Sequence, residues 1–253
     1  MRLKVIGAGP AYTDHVGSTG AAYLVQAGGS SLLLDLGQGS FPRLASTMDP
    51  GDLDGVVVSH LHPDHFIDLV PLRHYLRWEP PRRRVRVIGP EGLGGRLDGL
   101  HRDPDFTAAA LDLEELHPGS WTVGSFEVEA RRVTHTDSSY GFRVSVPGAR
   151  GEAPGPGLVY SGDCGRAEDL EPLIHPGDTL LSEVSFGPGP IIPGAEHIDG
   201  PAVGALAART GVARVLLTHL LMAYDRDETV ASVRRLFDGP VDLVTPGFEI
   251  SIE

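Results

Sequence analysis

Three histidines and an aspartate stand within six residues in the segment Ser59-His60-Leu61-His62-Pro63-Asp64-His65, directly after the apolar run 56–58. In extended chain His60 and His62 project to the same side, because side chains alternate with a period of two. Asp64 and His65 then fall where the chain turns into a helix, so two pairs of donors approach one cavity from different directions. Neutral imidazole and carboxylate are ligands of zinc-class ions, and a catalytic site of that kind keeps one position open for water. The arrangement suits two adjacent divalent ions better than one. Zinc fits these donors first, with manganese and iron as the other candidates.

Further donors recur at the ends of strand-like runs. His135 follows residues 128–133, Asp163 follows residues 158–160 in Tyr160-Ser161-Gly162-Asp163, and His219 follows residues 215–218. One donor at each strand end is how a loop-built site on a rigid scaffold is assembled. The elements that must carry these donors are legible as hydrophobic patterns. Residues 3–6, 22–27, 31–36, 55–58 and 85–88 read as strands. Residues 64–78 read as a helix with Phe66, Leu69, Leu72 and Leu76 on one face and Pro71 as a kink, and 106–116 as a weak helix. A second block follows, with strands at 121–133, 140–146, 158–160, 179–184, 212–218, 241–244 and 248–252, and helices at 201–210 and 228–237. Two such blocks predict two sheets packed face to face with helices outside, in a single domain over residues 1–253. The Gly/Pro-rich tract 148–157 reads as a flexible loop.

Composition removes several classes of function. The single cysteine, Cys164, excludes an intramolecular disulfide framework and any cysteine-based zinc cluster, and it fits a reducing, cytoplasmic setting. Lys4, the one lysine, lies in an apolar opening segment, which argues against Schiff-base chemistry and a P-loop. A net charge of −13 argues against broad binding to nucleic acid, which needs clustered cations. The dense basic run Arg82-Arg83-Arg84-Val85-Arg86 reads as a solvated loop entering a strand. Gly7-Ala8-Gly9 lacks the third glycine of a dinucleotide fingerprint. Residues 1–6 run straight into a strand pattern rather than a secretory signal, and no apolar run approaches the ~18–20 residues of a membrane span.

These motifs, spread from Asp35 to His219, resemble those of the metallo-β-lactamase fold superfamily, hydrolases built as a four-layer αββα sandwich of α/β class. The resemblance implies that His60, His62 and His135 hold one metal ion, that Asp64, His65 and His219 hold the other, and that Asp163 bridges both. It places Asp35 behind the ligands as their support. Asp64 also counts among the catalytic residues. Within the superfamily the chain looks like the branch of ribonuclease Z and bacterial cyclic-nucleotide phosphodiesterases. The residues that carry this likeness are Ser182-Glu183-Val184-Ser185-Phe186, Glu196-His197-Ile198-Asp199 and Val215-Leu216-Leu217-Thr218-His219. In that branch a histidine just before a helix is catalytic and a glutamate after the preceding strand orients it; His197 and Glu183 match those positions. Asp199 stands where the branch has threonine, and either residue caps a helix well, with Pro201 suited to its first turn.

The implied activity is hydrolysis of a small anionic phosphodiester, such as a cyclic nucleotide, with a hydroxide as nucleophile and His197 protonating the leaving oxygen. Ribonuclease Z carries a long arm for tRNA between its third and fourth motifs, whereas only a short Gly/Pro loop separates Val146 from Leu158 here. The alternatives are a thioester or lactone hydrolase of the glyoxalase II type, an armless ribonuclease Z-like RNA processor, and a degenerate metal-binding scaffold. Members of the branch commonly form homodimers, and Leu76 and Trp78 are apolar side chains that fit either such an interface or the core.

Overall fold

Leu32-Leu33-Leu34, Val56-Val57-Val58 and Val215-Leu216-Leu217 show no polar alternation, so strands built from them must be covered on both faces. The structure, a computed structural model describing residues 1–101, 105–148 and 155–253, covers them so. Its strands are β1 (Arg2–Gly7), β2 (Ala22–Ala27), β3 (Ser30–Leu34), β4 (Gly55–Val57), β5 (Val85–Gly89), β6 (Leu111–Glu115), β7 (Gly119–Val123), β8 (Phe126–Arg132), β9 (Tyr140–Ser145), β10 (Leu158–Tyr160), β11 (Thr179–Glu183), β12 (Arg214–Thr218), β13 (Val241–Leu243) and β14 (Glu249–Ser251). They form two seven-stranded mixed sheets, ordered β14-β1-β2-β3-β4-β5-β6 and β13-β12-β11-β10-β9-β8-β7.

Side-chain alternation sorts each strand between two cores. Leu32, Leu34 and Val57 of the first sheet meet Phe142, Tyr160, Leu181 and Leu216 of the second between the sheets. Leu33, Val56 and Val87 face outward onto α1 (Phe41–Thr47), α2 (Pro63–Phe66), α3 (Leu69–Trp78) and α4 (Leu93–Gly99) through Leu44, Phe66, Leu72 and Leu97. Leu180, Val215 and Leu217 face the other way. They pack on α5 (Gly200–Thr210), α6 (Arg226–Arg234) and the 3-10 turn Ala167–Leu173 through Leu206, Val233 and Leu170. The result is the expected four-layer αββα sandwich.

The structure corrects the sequence reading in places. The single helix expected over 64–78 is two, broken between Phe66 and Leu69 and not at Pro71. Pro71 sits in the first turn of α3, where its missing N–H leaves no helical bond unmade. Residues 106–116 do not form a helix: they end in the strand β6, which pairs in parallel with β5. The expected strand 121–133 is the hairpin β7–β8, turned at Gly124. Of the tract 148–157, residues 149–154 lie outside the described residues. Leu76 is part of the helix–sheet core, while Trp78 is 59% exposed. Most of the basic run is spent within the chain, where Arg83 pairs with Asp49 and Asp52, Arg84 with Asp112 and Arg86 with Glu114.

One buried ion pair ties β9 to the turn before β11. The guanidinium of Arg143 donates from Nε and Nη2 to Asp178 at 2.8 and 2.9 Å, and the backbone N–H groups of Gly157 and His175 donate to the same carboxylate. Burial pushes the Asp178 carboxyl up, but Arg143 and the two N–H groups outweigh it and hold it below the usual range. Asp178→Asn leaves a buried guanidinium without its charge partner and is expected to cost about 3 kcal/mol, read as a fall in the urea midpoint at pH 7. The native pKa lies below the unfolded one, so this contribution is complete above the unfolded value. It is lost as pH falls through the native one. The gap between wild type and variant should therefore close in acid; equal midpoints at pH 7 would show that the pair contributes nothing.

Candidate metal centre

The donors gather where the C-terminal ends of strands from both sheets open into loops. Beyond β4 the chain enters the histidine segment, which backbone bonds pin in place: Ala21 donates to the Asp64 carbonyl (2.9 Å), Leu36 to that of His65 (2.8 Å) and Tyr140 to that of Ser59 (3.1 Å). The Asp64 carbonyl lies so close to Gly37 that a Cβ there would sit 1.8 Å away. His62 occupies the N-cap of α2, and Pro63 opens the helix with a φ already suited to it. Beyond β10, Gly162 turns with φ +57° and presents Asp163. Beyond β12, His219 adopts φ 58°, and Asp35 beyond β3 adopts φ 59°, a left-handed backbone uncommon for either residue. Such strain concentrates at functional sites.

Two groups of donors result. His60, His62, His135 and Asp163 form one and Asp64, His65 and His219 the other, with the donor atoms of each within 4.8 Å of one another; His197 makes a third, overlapping set with Asp163 and His219 at the same spacing. Asp163 faces both. Its Oδ2 lies 3.7 Å from Nε2 of His60 and of His135. Its Oδ1 lies 3.3 Å from Nε2 of His65 and 3.5 Å from that of His219. Asp64 Oδ2 completes the second group at 3.1 Å from His219 Nε2. All seven residues read from the sequence as ligands are thus brought together.

The far nitrogens of the rings fix their tautomers. His65 Nδ1 donates to Asp35 (2.8 Å), His135 Nδ1 to the Glu196 carbonyl (2.7 Å), His60 Nδ1 to Ser59 Oγ (3.1 Å) and His219 Nδ1 to Ser185 Oγ (3.0 Å). Each bond leaves Nε2 with its lone pair toward the cluster, the arrangement that orients metal-binding imidazoles. Both serines in turn donate to a buried carboxylate: Ser59 to Asp35 (2.7 Å) and Ser185 to Glu183 (2.6 Å). Tyr160 adds a third side-chain donor to Asp35 at 2.7 Å. Ser59, Tyr160 and the Glu196 carbonyl were not anticipated. Ser185 stood in a quoted motif with no role, and the one signal for it was its place two residues after Glu183. Ser185→Ala is expected to weaken metal binding by about 10–100-fold while the chain stays folded, measured by competition with a chromophoric chelator; unchanged affinity would make the serine incidental.

Electrostatics fit cations. Burial, aided by the neighbouring His65, holds His60 well below the usual imidazole range, and burial also lowers His62, so both rings are neutral near pH 7. Burial raises the Asp163 and Asp64 carboxyls, but the surrounding histidines, His219 first, keep both ionised. For His65 and His219 burial works downward and is outweighed by Asp163, helped by Asp35 and Asp64 respectively, so both are raised. The field of the carboxylates favours positive charge at this spot. His60 Nε2 and Asp163 Oδ1 are buried and take part in no hydrogen bond among the described residues. Such atoms require a partner, and a divalent ion, which these N and O donors suit, would supply one.

Beside the clusters, His197 Nδ1 donates to Glu183 Oε1 at 2.9 Å. Burial opposes protonation of His197, but the bond and charge of Glu183 raise its pKa to about 8. Glu183 is fully buried and also accepts from the Cys164 N–H. Asp199 caps α5 by accepting from the Ala202 N–H at 3.0 Å, so the backbone that delivers His197 is kept despite the loss of threonine. Cys164 itself is a packed residue, its thiol donating to the Arg166 carbonyl. His74 lines a groove with Phe41 and Trp78 that holds none of the metal donors.

Two mixed sheets flanked by helices, with histidines and aspartates at the strand ends, define the metallo-β-lactamase fold and a metal-dependent hydrolase. Residues 25–220 match the family described as "Beta-lactamase superfamily domain", and the chain belongs to that family. It is 30% identical to the uncharacterized protein ML1173 of Mycobacterium leprae, over 100% of this chain and 89% of the relative. It is 26% identical to the probable metallo-hydrolase YhfI of Bacillus subtilis, over 98% of each, and 28% identical to ribonuclease Z of Geobacillus kaustophilus, over 91% of this chain and 75% of that enzyme. The crystal structure of YhfI superposes with a TM-score of 0.85 at 23% identity, covering 99% of both chains.

Proposed function

We propose that this chain is a phosphodiesterase with two metal ions that acts on a small phosphodiester. The observation that carries the reading is the Glu183–His197 pair, set at 2.9 Å beside two donor groups that are already filled by seven other residues. The two donor groups would hold divalent ions, which when bound would supply a nucleophile from water at neutral pH and polarise a phosphoryl oxygen. Everything else falls to the protein. Glu183 holds the Nδ1 proton of His197, which leaves Nε2 to pass a proton to the leaving oxygen. Ser185 ties the same carboxylate to His219, so the acid and the metal donors share one anchor. Asp35, through Ser59 and His65, anchors the other side.

A small substrate is supported by charge. The chain carries −13, and Arg83, Arg84 and Arg86 of its basic run are neutralised by its own carboxylates. Among the described residues no helix is long and apolar enough to cross a membrane. The test is a panel on one zinc-loaded sample: a nitrophenyl phosphodiester, cyclic nucleotides, a thioester and a lactone. Turnover of phosphodiesters well above the other two is expected. Preference for the thioester or lactone would replace this reading with the carboxyl-ester alternative.

A further inference from the structure

A cleft of about 440 Å³ adjoins the metal centre, and His219 forms part of its wall. Val16, Leu220 and Val244 give it apolar surface, while Arg43 of α1 and Arg226 at the start of α6 line it with positive charge. None of its lining residues is acidic, although the chain has 34 acidic and 21 basic side chains. Arg83, Arg84, Arg86, Arg143, Arg209 and Arg214 are each paired with a carboxylate. Arg43 instead donates to the Gly17 carbonyl at 2.6 Å, which holds it against the loop that follows β1. The Arg226 side chain is exposed and has no hydrogen bond or ion pair among the described residues. A cavity of this size suits an organic group as large as a nucleoside.

We infer that this cleft seats the part of the substrate beyond the scissile phosphodiester, and that Arg43 and Arg226 bind a second anionic group, phosphate or carboxylate, on it. The inference rests on the phosphodiesterase reading for the group that is cleaved. An arginine bonded to a phosphate is a charge-assisted contact, so the second anion should tighten binding by roughly tenfold.

The probes are thymidine 5′-(p-nitrophenyl phosphate) with and without a 3′-phosphate, which share nucleoside and leaving group. With the metal-loaded chain the 3′-phosphate should lower KM roughly tenfold with little change in kcat. In Arg226→Gln, and again in Arg43→Gln, the ratio of the two KM values should fall toward one. Arg226 is exposed, so its substitution disturbs no packed contact. Calorimetric titration with thymidine 3′,5′-bisphosphate and thymidine 5′-monophosphate reads the same preference without turnover. Equal affinity for the two nucleotides in wild type, or a preference that survives both substitutions, overturns the inference. If neither ester is hydrolysed but the bisphosphate binds more tightly in an arginine-dependent way, the phosphodiesterase reading fails and the cleft assignment stands.

Discussion

His197→Ala is expected to lower kcat on an alkyl phosphodiester by roughly 10²–10⁴-fold, the worth of a positioned general acid. Metal content should stay as in wild type, because the two groups that meet at Asp163 have their donors without His197, whose Nδ1 is bonded to Glu183, although the ring also lies within 4.8 Å of the Asp163 and His219 donors. The loss should shrink for a nitrophenyl ester, whose leaving oxygen needs little protonation. Rates measured on both esters, with elemental analysis of the same sample, check this. Near-wild-type turnover on both esters would remove His197 from the chemistry, and loss of metal would make it a ligand. Glu183→Gln should behave differently. Glu183 accepts from His197 and also, through Ser185, supports His219. Its variant should therefore lose both turnover and metal affinity.

The second large effect concerns Asp163. Its two oxygens face different donor groups, at 3.3 and 3.7 Å from His65 and His60. Asp163→Ala removes a donor from both groups at once and leaves two sets of converging imidazoles without the carboxylate between them. Zinc retained after dialysis is expected to fall in both sites and phosphodiester turnover to be lost. His60→Ala removes a donor from one group alone and should empty mainly that one. If the two variants lose the same single ion, Asp163 does not connect two sites.

How much of this was legible beforehand follows from where the information sits. The ligand set stands at the ends of apolar runs, and strand ends are legible because a buried strand is a continuous hydrophobic run bounded by turns. The four-layer architecture follows from the same runs, since strands apolar on both sides need cover on both faces. The strand β6 was misread because only Leu111 in it is buried. Asp112 and Glu114 point to solvent and pair with Arg84 and Arg86, which masks the alternation. The short helices α1 and α4 were missed because proline and glycines stand inside them. The supports of the site were illegible for a different reason. Tyr160 reaches Asp35 from 125 residues away, and Ser59 and Ser185 acquire their roles only when two sheets bring a carboxylate and an imidazole to opposite sides of one hydroxyl.

The central claim is that two ions act together on a phosphodiester, and the most direct test is to titrate zinc into metal-free chain while following hydrolysis of bis(p-nitrophenyl) phosphate. The seven donors predict activity that rises until two ions are bound per chain and then levels off. Activity complete at one ion, or none at two, would contradict it.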